Sequence, residues 1–395
     1  MNSLEKNNIP AGYKYSAVGK IPQEWEVKRL GACFSIGHGR DYKHLSNGDI
    51  PVYGSGGIIC YVGSFLHDGE TVCIGRKGSI NKPFYYNGPI WTVDTLFYTH
   101  SFQSVLPRYV GYLFDSIGWM RYNEATGVPS LTAKTISNIK KAVPPIEEQR
   151  KIAEILGVWD EAIEKQSRLI EKLELRKRAL MQHLLTGRTR LSGFNTPWKK
   201  VKLGEIGKFD KGVGVPKEKI VSEGCKAITY GEIYTKYDYV IKDFASYIDS
   251  DTAQTSKQIS SGAIIFAGSG ETLEDIGKCV AFIDNDKAYA GGDIIIFNPS
   301  IEVDSLVLSY ILNSPVAIAQ KRRYGQGHSV VHIYQKDLAR IEFELPSLPE
   351  QKAIAEVLTT ADDEIATHRK KLDALRLQKR GLMQQLLTGK TRVKI

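Results

Sequence analysis

Pro144-Pro145-Ile146-Glu147-Glu148-Gln149-Arg150-Lys151-Ile152-Ala153-Glu154 opens a stretch that closes on Leu184-Leu185-Thr186-Gly187-Arg188-Thr189-Arg190, and the chain carries this stretch twice. Residues 144–190 align with 346–392 at a constant offset of 202, without a gap, and 22 of the 47 positions are identical. Chance would give roughly three at ordinary residue frequencies. The firmest anchors are Glu148-Gln149 with Glu350-Gln351, Ile152-Ala153-Glu154 with Ile354-Ala355-Glu356, and Leu184-Leu185-Thr186-Gly187 with Leu386-Leu387-Thr388-Gly389. A repeat of fixed length reads as one structural unit used twice.

Each copy has the spacing of a long helix. Ile152, Leu156, Trp159, Ile163, Gln166, Ile170, Leu173, Lys177, Leu180 and Leu184 alternate steps of four and three. That is an a/d seam of period 3.5. The second copy gives Ile354, Leu358, Ala361, Ile365, His368, Leu372, Leu375, Lys379, Leu382 and Leu386. Prolines 144, 145 and 346 stop the helices extending backwards, and Gly187 and Gly389 suit their C-terminal caps. Such a helix spans roughly 60 Å at about 1.5 Å per residue. A compact domain between the copies returns the chain near its start, so the two helices are expected to pair antiparallel. A dumbbell with a pseudo-two-fold axis across its bar follows. The polar seam pairs, Gln166 with His368 and Lys177 with Lys379, either fix register or meet a partner's helices.

Fainter matches precede each copy: Trp25…Leu30-Gly31 with Trp198…Leu203-Gly204 at an offset of 173, Tyr53-Gly54 with Tyr230-Gly231 at 177, and Asp94 with Asp293 at 199. The drift means that the second such region carries insertions. Both regions show short β-branched and aromatic runs between glycine-rich turns, such as Glu70-Thr71-Val72-Cys73-Ile74-Gly75 and Ala263-Ile264-Ile265-Phe266-Ala267-Gly268. Each reads as a small mixed α/β domain.

Composition bounds the partners. The 395 residues are 42% hydrophobic, enough for real cores, and 53 Lys+Arg against 44 Asp+Glu leave a formal net charge of +9. That balance favours an anionic partner, nucleic acid before a membrane surface. Five scattered cysteines without a C-x-x-C read as free thiols. With no apolar signal core at the start and no run of 18 apolar residues, a cytosolic protein is expected.

Trp25…Lys28-x-Leu30-Gly31, Tyr53-Gly54-Ser55-Gly56-Gly57-Ile58, Pro144-Pro145-x-x-Glu148-Gln149-x-x-Ile152-Ala153 and Leu184-Leu185-Thr186-Gly187 together resemble the specificity (S) subunits of type I restriction-modification systems. The likeness covers nearly the whole chain and is weakest over 205–330. It implies an α+β architecture: two small mixed α/β target-recognition domains separated by two long helices paired as an antiparallel coiled coil. The expected segments are 1–143 (first recognition domain), 144–190 (first helical spacer), 191–345 (second recognition domain) and 346–395 (second spacer). It also implies a non-catalytic subunit in a prokaryotic cytoplasm, binding double-stranded DNA at a bipartite target where adenines are methylated. Two modification subunits carrying S-adenosylmethionine and two ATP- and Mg2+-dependent restriction subunits are the implied partners. No cofactor or metal is expected on this chain.

Two rival readings need weighing. Phe266-x-Gly268-x-Gly270 with Asn298-Pro299-Ser300-Ile301 imitates a DNA methyltransferase, but the second motif lacks the aromatic that stacks on a flipped base. The two motifs also lie about thirty residues apart, in a domain too small for a full Rossmann sheet. A coiled-coil adaptor without DNA is the other rival. Gly389-Lys390-Thr391 is no phosphate loop, because Gln384 stands where such a loop needs glycine. His328 and His332 lack metal-site context. The DNA-facing candidates are basic, glycine-containing loops: Arg40 and Lys43, Arg76 and Lys77, Lys211 and Lys217, and Lys321, Arg322, Arg323, Gln326 and His328, with Arg121 the counterpart of the last group. Arginine grips guanine, Gln or Asn grips adenine, and lysine mostly holds phosphate. A solvated surface turn is the plainer alternative for each.

Overall fold

The computed structural model describes residues 9–327 and 330–394. Each repeated segment is one helix of 39 residues, Ile146–Leu184 and Leu348–Leu386. Pro145 immediately precedes the first, and Pro349 lies in the first turn of the second, where its missing N–H leaves no helical bond unmade. At the far ends Gly187 and Gly389 adopt φ of +66° and +70°, the left-handed conformation that closes a helix at little cost only in glycine.

By compactness the chain forms two units, 1–168 with 370–395, and 169–369. Each unit takes part of both long helices, so the units cut across the sequence-order division at 143, 190 and 345. Within the first unit Asp160 pairs with Lys379 and Glu148 with Arg392. Within the second, Lys177 pairs with Asp362, Glu174 with Arg369 and Arg190 with Glu350. Partner numbers fall as residue numbers rise, the antiparallel sense expected from connectivity. Every apolar seam position is buried or partly so. Ile152 and Leu156 join Leu386 in one core, and Ile354 and Leu358 join Leu184 in the other.

The two units share a scaffold. In the first unit a four-stranded antiparallel sheet runs Ser35–His38, Leu96–His100, Glu70–Gly75, Phe84–Asn87. The second unit repeats that order with Gly207–Lys211, Ile294–Pro299, Ile264–Ala267, Cys279–Ala281. The remaining strands differ. The first unit has a three-stranded sheet (Gly57–Val62, Asn47–Gly54, Trp91–Thr92) where the second has a five-stranded one. Those extra strands account for the drifting offset. No helix among the described residues is long and apolar enough to cross a membrane, and all five cysteines are free.

The repeated motifs tie helix to domain. Glu148, its side chain only 1% exposed, accepts from Trp25 Nε1 (2.8 Å) and Arg392 Nε (2.7 Å). Glu350 likewise accepts from Trp198 Nε1 (3.0 Å) and Arg190 Nε (2.6 Å). The arginine always comes from the other copy of the repeat, so each unit is latched by the far end of the opposite helix. Gln149 and Gln351 accept from the Leu106 and Asp304 amides (2.8 Å each) and donate to the carbonyls of Pro144 and Pro346. Gly31 and Gly204 pack where a Cβ would lie 2.8 Å from Ser137 and 2.9 Å from Ala339. The seam lysines are also matched. Lys379 pairs with Asp160, which Tyr112 also hydrogen-bonds; Lys177 pairs with Asp362, which Tyr310 also hydrogen-bonds. Burial, then the bond to a carboxylate, pushes both phenols above the usual tyrosine range. These lysines therefore bind across the helix pair inside the chain, as a register device does.

Candidate nucleic-acid interface

In the first unit, separate segments converge on the chain crossing at 92–96. Arg40 N donates to Thr92 O (2.8 Å) and Gly39 N to Leu96 O (3.2 Å). Gly39 is needed there, because a Cβ would lie 1.9 Å from Val93 O. Arg76 N donates to Thr95 O (2.8 Å), and Arg76 Nη1 to Asp94 O (3.2 Å). Residues 123–131 close against that second loop through Gly78 N to Pro129 O and Leu131 N to Arg76 O, 2.9 Å each. Arg40, Lys43, Lys77 and Arg121 are exposed and Arg76 partly so. Arg121 stands on the short helical turn Trp119–Tyr122 that leads into 123–131. The first unit thus gathers Arg40, Arg76 and Lys77 around one turn.

The second unit builds the same node on Asp293, the counterpart of Asp94. Gly268 N donates to Asp293 O (2.7 Å), Gly212 N to Ile294 O (2.9 Å) and Ile333 N to Gly268 O (3.0 Å). A cleft of about 470 Å3 opens beside it, lined by Lys211, Ser269, Asp293, His332, Tyr334 and Lys336. Ser269 Oγ and His332 Nδ1 lie 2.9 Å apart, which fixes the imidazole. Lys336, Tyr334 and Ser269 were not singled out by sequence. Lys336 and Tyr334 belong to no basic or glycine-rich cluster, Ser269 sits inside the Phe266-x-Gly268-x-Gly270 stretch that imitates a methyltransferase, and only folding brings 269 beside 332. Lys211 is exposed but ends the strand Gly207–Lys211, and exposed Lys217 opens a short helical turn; neither is a simple loop residue.

The basic group at 321–328 needs correction. Lys321, Arg322 and Arg323 form the last turn of the helix Pro315–Tyr324, which starts with Ser314 as N-cap and Pro315 in the first turn. A step of four puts Ala317 and Lys321 on its buried face. Lys321 is 1% exposed and its Nζ donates to Gly277 O (2.7 Å), so it is an internal strut and not a DNA-facing residue. Burial holds its ammonium below the usual lysine range. Arg322, Arg323 and Gln326 are exposed, with Arg322 Nη2 3.7 Å from Glu274 Oε1. His328 lies outside the described residues.

The methyltransferase-like stretches are ordinary sheet. Strand Ile264–Ala267 leads to Ser269–Gly270, which pairs with Val331–His332, and no helix follows it. Asn298 and Pro299 lie in a ladder opposite Lys208 and Gly207. Among the described residues no group of three or more His, Cys, Asp or Glu could hold a metal ion.

The type I restriction modification DNA specificity domain matches twice, over residues 22–175 and 195–377. The type I restriction enzyme MjaVIII specificity subunit of Methanocaldococcus jannaschii is 28% identical over 95% of this chain and 95% of its own. A second protein of that organism, the putative type I restriction enzyme MjaX specificity subunit, is 26% identical over 97% of each chain. The crystal structure of the type I restriction-modification S subunit from M. genitalium, 14% identical, matches with a TM-score of 0.62 over 97% of this chain and 98% of that one, so the fold is shared. With both units and most of both long helices inside the matched regions, the chain belongs to the type I restriction-modification DNA specificity family.

Proposed function

We propose that this chain is the DNA-specificity subunit of a type I restriction-modification complex, each unit reading one half of a split target. The observation that carries this is the duplicated node: the same sheet order and the same aspartate turn in both units, edged by different exposed residues. An identical scaffold with different edges suits two different half-sites. In the first unit Arg40, Lys43, Arg76, Lys77 and Arg121 face DNA, and in the second Lys211, Lys217, Arg322, Arg323 and Gln326. Lysines hold phosphate, while arginine and glutamine are the base-reading types.

The chain itself supplies no catalytic group. Two modification subunits bring S-adenosylmethionine, and two restriction subunits bring ATP and Mg2+. The assembly works in the cytoplasm of a prokaryotic cell. The test is selection from a pool of random duplexes by mobility shift, with the modification subunit present. Recovery of one split motif is the expected result. No shift with any duplex would leave the adaptor reading in its place.

A further inference from the structure

The hairpin of the first unit, strands Asn47–Gly54 and Gly57–Val62, presents apolar side chains to solvent beside the cationic node. Ile58 and Ile59 are 49% and 50% exposed at its tip. Tyr53 pairs with Ile58 and Val52 with Cys60, so Ile59 is the extra residue of a bulge, a feature that re-aims side chains. Gly54 makes room for it, since a Cβ there would lie 3.0 Å from Ile59 Cδ1. The hairpin's core residues Val52 and Val62 pack with Trp91 and Val93, and Tyr42 and Leu45 of the first basic segment close over them. Ser55 Oγ lies 3.0 Å from the position of a Cβ on Gly78, so the tip also abuts the Arg76-Lys77-Gly78 loop. The second unit has no such tip: Tyr230 and Gly231, matched to Tyr53 and Gly54, begin the helix Tyr230–Thr235 instead.

We propose that this hairpin tip is a major-groove reading element of the first unit, with Ile58 seated on the methyl group of a thymine. The inference rests on the DNA-specificity reading above. A two-stranded ribbon fits the major groove, and the apolar feature a base pair presents there is the thymine methyl. Arg40, Lys43 and Lys77 are exposed on the two segments that pack against this hairpin, cations of the kind that hold flanking phosphates. The exposed carboxylates Asp41 and Asp94 can accept only from a base amino group, cytosine N4 being the usual partner.

The experiment uses the chain assembled with its modification subunits and a duplex carrying the selected target. Thymines of the first half-site are replaced one at a time by deoxyuridine, which lacks only the methyl. One replacement should weaken wild-type binding about fourfold, the worth of one buried methyl group. Ile58→Ala should bind the thymine duplex at least that much more weakly and be indifferent to the same replacement, while Ile58→Val keeps most of the affinity. The base choice in the second half-site should not change. Ile58→Ala binding the thymine duplex like wild type, or responding to deoxyuridine like wild type, would overturn the proposal. Loss of modification-subunit assembly with DNA affinity intact would also overturn it, assigning the tip to a protein contact. A wild-type complex with no sequence preference would be a failure of the underlying functional reading, distinct from these.

Discussion

Glu148 and Glu350 are carboxylates with side chains 1% exposed, each satisfied by one tryptophan and one arginine. Removing one member of such a pair leaves a charge without its partner in a dry place, which costs about 3–5 kcal/mol for fully buried pairs. Arg392 is a third exposed, so Arg392→Ala should cost about 3 kcal/mol, the low end of that range, in denaturant unfolding of the intact chain. Arg392→Ala and Glu148→Gln should be strongly non-additive; simple additivity would show that the two do not form one latch. The Glu-Gln pair was visible in sequence as an anchor of the repeat, but its partners were not, because Trp25 and Arg392 lie 123 and 244 residues from Glu148. Lys321 was misread for a related reason. Its charge suggested DNA, while its burial depends on the phase of a helix that the run Lys321-Arg322-Arg323-Tyr324-Gly325 does not announce. Its neighbours Arg322 and Arg323 are exposed. Neutralising both should weaken DNA binding and flatten its salt dependence by about one unit of slope per lost phosphate contact. Unchanged binding at every salt concentration would remove this turn from the interface.

At the scale of elements, the long helices were the most legible part of the chain. A 3.5-residue period held over ten seam positions is hard to satisfy by any other structure, and prolines and glycines marked both ends. Leu156 is fully buried on the seam, whereas Leu377 is off it and 67% exposed. Leu156→Ala should therefore destabilise by about 2–5 kcal/mol, and Leu377→Ala by less than about 0.5 kcal/mol. Equal effects in thermal or denaturant unfolding would refute the seam. The recognition domains were legible only as mixed α/β. Their strands are short, their registers depend on partners far away in sequence, and the shared strand order emerges only when the sheets are compared. The loop reading failed where polar residues sit on a strand end (Lys211) or a helix end (Arg322), because charge alone does not separate a loop from the last turn of an element.

At the scale of the whole molecule, one repeat fixes the plan. Two copies of a 39-residue helix alternate with two domains that share a four-stranded scaffold and differ around it. The hairpin tip with Ile58 in the first unit has a helix in its place in the second, and the aspartate node of the second opens on a cleft with His332 and Tyr334. Equivalent scaffolds with unlike reading edges should select two unlike half-sites, whereas identical edges would select a palindrome. The most direct measurement is single-molecule sequencing of adenine methylation in DNA exposed to this chain with its modification subunits. The account predicts one motif of two specific blocks, different in sequence and separated by a gap of fixed length and unspecified bases. A continuous motif, or two blocks forming a perfect palindrome, would contradict it.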